Sequence, residues 1–132
     1  MSRTKNRRDD TTGRFAYEGL DRVIHERARL SILTSLVTRP EGLVFTDLKE
    51  LCALTDGNLS RHLQLLQEAR LVELWKGSKG NRPQTLCRIT EHGRRRFLEY
   101  ISVLENVVAD TMGATKESQP AARLLAKGWA PA

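Results

Sequence analysis

At 132 residues, with 39% hydrophobic and 29% charged residues, the chain suits one folded domain with a single modest core, and neither a disordered polymer nor a multidomain assembly. Its formal net charge of +6 favours an anionic partner, nucleic acid ahead of an anionic membrane surface. Two cysteines, Cys52 and Cys87, are too few for a disulfide framework, no apolar run nears the ~20 residues of a bilayer span, and the polar Met1–Asp10 stretch has no signal-peptide core, which predicts a cytoplasmic protein with reduced thiols and no membrane association.

Residues 1–16 read as a flexible basic arm, with Arg3, Lys5, Arg7, Arg8 and Arg14 set against Asp9 and Asp10. Leu20 to Val37 reads as a helix. Its apolar positions Leu20, Val23, Ile24, Ala28, Leu30, Ile32, Leu33 and Leu36 recur at spacings near three and four, and Arg39-Pro40 stops it. Leu43-Val44-Phe45 reads as a short strand. Thr46 is the expected N-cap of a short helix, TDLKELCAL, with Leu48, Leu51 and Cys52 facing inward.

Thr55-Asp56-Gly57-Asn58 is a turn cluster. A second helix follows from Asn58 to Arg70, with Leu59, Leu63, Leu66 and Ala69 as its apolar stripe. Ser60, Arg61, His62, Gln64 and Gln67 lie away from the centre of that stripe and form a donor-rich face. Leu71–Trp75 and Thr85–Ile89 read as strands joined by a long, positive tip, KGSKGNRPQ. Thr90 caps the last helix, in which Phe97, Ile101, Leu104 and Val108 repeat at helical spacing out to about Thr111. Residues 17–112 thus form the domain. The tail, 113–132, reads as loosely ordered, with a short helix over Pro120–Lys127 and Gly128 as its stop.

Two helices joined by a tight turn can form a helix-turn-helix, whose second helix lies in the DNA major groove. On Asn58–Arg70, Arg61 suits guanine, while Gln64 and Gln67 suit adenine; Ser60 and His62 reach phosphates or base edges. Lys76, Lys79 and Arg82 suit the phosphate backbone or the minor groove. Thr55, at the start of the helix, and Asn81, at the hairpin tip, complete the DNA-binding set. Between Lys76 and Arg96 stand seven cations and one acid, so the chain's basicity is concentrated there.

The stretch from Gly42 to Phe97 resembles winged-helix bacterial and archaeal transcription regulators of the MarR/ArsR-like superfamily. LTDGNLSRHLQLLQEARLV and RPQTLCRITEHGRRRF carry the resemblance, which covers roughly Leu20 to Leu104. It implies a mainly α fold with a small β-hairpin wing, Asn58–Arg70 as recognition helix and Lys76–Gln84 as wing. It also implies dimerisation through N- and C-terminal helices. Arg70 stands where the family usually has glycine, and Cys87 where it usually has an aromatic residue.

The last helix carries Phe97, Tyr100, Ile101, Val103, Leu104, Val107 and Val108, more apolar residues than one face holds. With Leu20 and Ile24 of the first helix, Phe97, Tyr100, Ile101, Leu104, Val107 and Val108 are the expected homodimer interface. A two-fold dimer would set its recognition helices about 34 Å apart on a palindromic site. The function implied is a sequence-specific double-stranded DNA-binding transcriptional regulator, of repressor type. The alternative is a protein-interaction module that uses the same fold as a docking surface.

Nothing in the sequence predicts an enzyme, a metal or a cofactor. His25, His62 and His92 fall on three elements without partners at triad or ligand spacing, and no nucleotide loop, GxSxG or HExxH occurs. ELCAL resembles an arsenic-sensor motif, but its one thiolate, Cys52, cannot close a soft-metal site. No residue pattern demands a small-molecule effector. RNA binding lacks an exposed aromatic platform, because Trp75, its one candidate, is expected to pack beneath the wing.

Overall fold

The computed structural model describes residues 12–114 and 120–132. In chain order the elements are α1 (Arg27–Val37), β1 (Leu43–Val44), α2 (Phe45–Cys52), α3 (Asp56–Glu68), β2 (Val72–Lys79), β3 (Arg82–Ile89), α4 (Glu91–Ala114) and α5 (Ala121–Ala126). The strands form one antiparallel sheet in the order β1-β3-β2. The core lies between this sheet and the helices. It is built from Ile32, Leu33 and Leu36 of α1, Leu48 of α2, Leu59, Leu63 and Leu66 of α3, Cys87 of β3, and Phe97 and Tyr100 of α4.

The first helix is shorter than its apolar spacing predicts: it starts at Arg27, not Leu20. The Asp21 carboxylate accepts hydrogen bonds from the backbone N–H groups of Val23 (2.9 Å) and Ile24 (3.4 Å), which closes a local turn in place of a helical one. Glu26 then sits in extended conformation and caps α1 by accepting from Arg29 N at 2.9 Å. The segment before α1 lies along α4 instead. Arg96 donates from Nε and Nη2 to Asp21, His25 Nδ1 lies 2.7 Å from the Tyr100 hydroxyl, and the Tyr17 hydroxyl donates to Asp110 Oδ2 at 2.6 Å. Of the predicted arm, residues 1–11 lie outside the described residues; Arg14 forms an ion pair with Asp110 at 3.5 Å.

Helix α2 starts at Phe45, so Thr46 is not its N-cap. The cap position is Val44, which makes no side-chain capping bond and stays extended to pair with Leu86. Leu48 and Cys52, four residues apart, take the inner side, and Leu51 faces outward at 58% exposure, against expectation. The tail does form a short helix, α5, with Pro120 at its N-cap position, and Gly128 follows it at φ +96°.

Two helices end in a left-handed residue that is not glycine. After α2, Ala53 has φ +54°, and Leu54 N donates to Lys49 O at 3.1 Å. After α3, Arg70 has φ +65°, while Leu71 N donates to Leu66 O and Arg70 N to Gln67 O, both at 2.9 Å. This is the Schellman arrangement, completed by the buried Leu66 and Leu71. It turns the chain sharply from α3 into the sheet. The glycine usual at position 70 in the resembling family suits the same geometry without a Cβ penalty.

Helix α4 is capped as predicted: Thr90 Oγ1 accepts from Gly93 N at 2.9 Å. The same hydroxyl donates to Arg70 O at 2.7 Å, and Thr90 N donates to Leu71 O at 2.9 Å. The first turn of α4 is thereby pinned to the end of α3, and Gly93 sits directly against the Leu71 backbone.

Candidate nucleic-acid interface

Helix α3 is held on one side and open on the other. Thr55 caps it by accepting from Asn58 N at 3.2 Å, so the expected turn cluster is in fact the cap and first turn. An ion pair of 2.9 Å between Lys49 and Asp56 ties α2 to that turn. Leu59, Leu63 and Leu66 are buried, each worth about 1.5–3 kcal/mol of transfer free energy. Burial of this stripe fixes the rotation of the helix, and therefore which side chains face solvent.

Asn58, Ser60, Arg61, Gln64 and Gln67 are all exposed on α3. Arg61 Nη2 donates to Asn58 Oδ1, and Gln64 Nε2 to Glu68 Oε2, each at 3.4 Å. Contacts this long are weak and exchange readily for better partners. Leu65, which the sequence reading overlooked, shares this surface at 41% exposure. Its signal was present: it falls out of register with the Leu59-Leu63-Leu66 stripe. A leucine there is able to meet the methyl group of thymine.

His62 does not belong to the exposed face. It is only 6% exposed, and Arg29 Nη1 lies 3.2 Å from its Nδ1. A guanidinium only donates, so Nδ1 accepts and the ring is neutral with its proton on Nε2. Arg29 also donates from Nε to Val23 O at 2.6 Å, and Glu26 Oε1 stands 3.9 Å from His62 Nδ1. Burial pushes the His62 pKa down; Glu26 opposes this, and the Arg61 and Arg29 cations add to it. The residue couples α3 to the start of α1.

The wing is a tighter hairpin than its glycines and proline suggest. The strands run on to Lys79 and from Arg82, leaving only Gly80 and Asn81 as the turn. Gly80 has φ +62°, as a two-residue turn with glycine first requires. Pro83 fits because β1 pairs with β3 only at Leu86 and Cys87, which leaves the outer edge of β3 free at the tip. Lys76, Lys79, Asn81 and Arg82 are exposed. Register sets Lys79 opposite Arg82 on one face of the ribbon and Lys76 opposite Thr85 on the other.

The cation cluster counted along the sequence is partly spent inside the fold. Arg88 faces Glu73 at 3.7 Å, Arg95 faces Glu91 at 3.7 Å, and Arg96 holds Asp21. At the wing itself the outward cations are Lys76, Lys79 and Arg82. Neither cysteine is bonded to the other. Burial pushes the Cys87 thiol up to about 11 and the Cys52 thiol upward, against a 3.7 Å contact with Ser35 Oγ.

Three of the expected interface residues, Ile24, Phe97 and Tyr100, are buried in the chain's own core. They are corrected to intramolecular roles, because the segment before α1 and the inner face of α4 cover one another. Leu20, Ile101, Leu104 and Val107 are partly buried, and Val108 is exposed, together with Leu98 and Met112. No described helix is long and apolar enough to cross a membrane.

Helices α2 and α3, joined through Ala53-Leu54-Thr55 and followed by the β2–β3 hairpin, define a winged helix-turn-helix protein. A family model for the winged helix DNA-binding domain matches residues 28–108, and the chain belongs to that family. An uncharacterised protein of Methanocaldococcus jannaschii is 39% identical over 80 residues, which is 61% of this chain and 86% of that protein. A transcriptional regulator homologue from Pyrococcus horikoshii superposes with a TM-score of 0.63 at 28% identity, over 67% of this chain and 87% of its own. The M. tuberculosis transcriptional regulator MosR, crystallised in complex with DNA, gives 0.58 at 17% identity, over 85% and 80%. A MarR-family regulator from Silicibacter pomeroyi gives 0.53 at 21% identity, over 84% and 75%. The fold is that of winged-helix regulators of the MarR type, as the resemblance in sequence implies.

Proposed function

We propose that this protein is a sequence-specific double-stranded DNA-binding transcriptional regulator of repressor type. Helix α3 enters the major groove, and the wing lies on the backbone or in the adjacent minor groove. The observation that carries the reading is the outer face of α3. Five polar side chains stand exposed there on a helix whose opposite face is locked into the core. Arg61 and Gln64 serve as base readers, while Lys79 and Arg82 serve as sequence-independent phosphate contacts.

The protein acts as a two-fold homodimer. The seam on α4 is Leu98, Ile101, Val108 and Met112, whose spacing of three, seven and four follows a heptad with Glu105 in the gap. Of the interface expected from sequence this seam keeps Ile101 and Val108, adds Leu98 and Met112, and leaves out Leu20, Ile24, Phe97, Tyr100, Leu104 and Val107.

Anisotropy titration with random-sequence duplex across a salt series tests the reading. The expected result is binding whose logarithm falls steeply and linearly with the logarithm of salt concentration. Absence of duplex binding at low salt would overturn it in favour of a protein-docking module. Sedimentation of the Val108→Glu variant tests the seam: a monomer is expected, and an unchanged dimer would place the interface elsewhere.

A further inference from the structure

Trp75 does not pack beneath the wing. Strand alternation sets Trp75, Gly77 and Lys79 of β2 on the same face as Arg82, Gln84 and Leu86 of β3 and Val44 of β1. The opposite face carries the buried Leu43 and Cys87. The Trp75 face therefore points away from the core, and the residue is 53% exposed. It borders a cleft of about 270 Å³ lined by Val44, Trp75, Lys76, Gly77, Gln84 and Leu86. A second cleft of about 240 Å³ shares Val44 and Gln84 with the first and reaches Lys79 and Arg82. No acid lines either cleft.

We infer that this outer face of the wing binds single-stranded nucleic acid, with an unpaired base stacked on the Trp75 indole. Four features favour that occupant. An aromatic face accepts any base by stacking. Gly77 beside it has nothing within 4 Å of where a Cβ would stand, so the floor next to the ring is open. Lys79 and Arg82 lie on the same face and continue it for about 13 Å from residue 75 to residue 79 at the strand rise; the acid on that face, Glu73, lies on the far side of Trp75 from them and faces Arg88 at 3.7 Å. Gln84 adds an amide able to pair with a base edge. This surface is separate from the exposed face of α3 but shares Lys79 and Arg82 with the proposed duplex contacts of the wing, so an unpaired strand would occupy the sheet in place of duplex backbone there.

The test uses the full chain with Trp129→Phe, which leaves Trp75 as its one tryptophan. Oligothymidylate and oligouridylate are titrated while indole fluorescence and oligonucleotide anisotropy are followed. Quenching on binding is expected, with the relative affinities showing whether DNA or RNA is preferred. Trp75→Ala should weaken single-strand binding about tenfold, and Trp75→Phe should restore part of it. Duplex binding should be unchanged in both, while Arg61→Ala should impair duplex binding alone. Three results would overturn the inference: no quenching by either single strand, equal quenching by a duplex of the same length, or an indole already shielded by self-association in the absence of oligonucleotide. None of them bears on whether α3 binds duplex.

Discussion

Replacing Gly93 by alanine should destabilise the protein, although the same change in an open helix stabilises by about 1 kcal/mol. A Cβ at position 93 would stand 2.9 Å from both C and Cα of Leu71 and closer still to the Leu71 carbonyl oxygen. Ordinary carbon contacts begin near 3.5 Å. The obstruction is backbone, so relief requires the first turn of α4 to retreat from the end of α3. That retreat stretches the hydrogen bonds from Thr90 N to Leu71 O and from Thr90 Oγ1 to Arg70 O, each worth about 1 kcal/mol net. Overpacking adds about 1–3 kcal/mol. After subtracting the helix-propensity gain, the expected loss is about 2–4 kcal/mol, a large share of a marginal folding free energy. For a domain of this size that lowers Tm by roughly 10 °C or more. Thermal unfolding followed by circular dichroism measures it, with Gly113→Ala as the control. Gly113 lies on the same helix with nothing near its missing Cβ, so its substitution should hold or raise Tm. If Gly93→Ala melts at or above the parent temperature, the close approach of α4 to Leu71 is wrong.

Arg70→Gly should stabilise by about 0.5–1 kcal/mol, because relief of left-handed strain exceeds the glycine's added chain entropy; equal or lower Tm would remove strain at Arg70 from the account. The His62 ring has a folded pKa below its unfolded 6.5, so the unfolded chain takes up its proton first. Stability should therefore be complete above pH 6.5 and fall as pH drops below it toward the folded value. His62→Gln should flatten denaturant-derived stability between about pH 7.5 and 5.5, and an unaltered slope would assign the effect to another group. Arg61→Ala should relax base preference at one position per half-site, at about 1–3 kcal/mol. Lys79→Ala should weaken all duplexes alike and reduce the salt slope by about one; a change of sequence preference on Lys79→Ala would undo this division of labour.

Much of the architecture was legible because it rests on short-range rules. The Leu59-Leu63-Leu66 stripe, the Thr90 cap and the punctuation at Arg39-Pro40 and Gly128 each act over one or two helical turns. The departures have one common cause. Leu20 to Ile24 shows helical spacing, yet Asp21 has both a local turn and a distant partner in Arg96, and together these outweigh periodicity. His62 looked like part of a polar face until Arg29, far away in the chain, filled the space beside its ring. Likewise Phe97 and Tyr100 looked like surplus apolar surface until the segment before α1 covered them.

By itself, then, the amino-acid order determined the element sequence, the helix-turn-helix with its hairpin, and the donor residues available to meet DNA. These follow from periodicity, capping and turn chemistry, which a residue settles with its neighbours. The tertiary structure alone decided which polar residues face outward, which wing cations stand outward, which apolar residues stay exposed, and that Trp75 stands on the open side of the sheet. Each of those depends on contacts between residues far apart in the chain, whose energies exceed local preference but leave no periodic trace in the sequence.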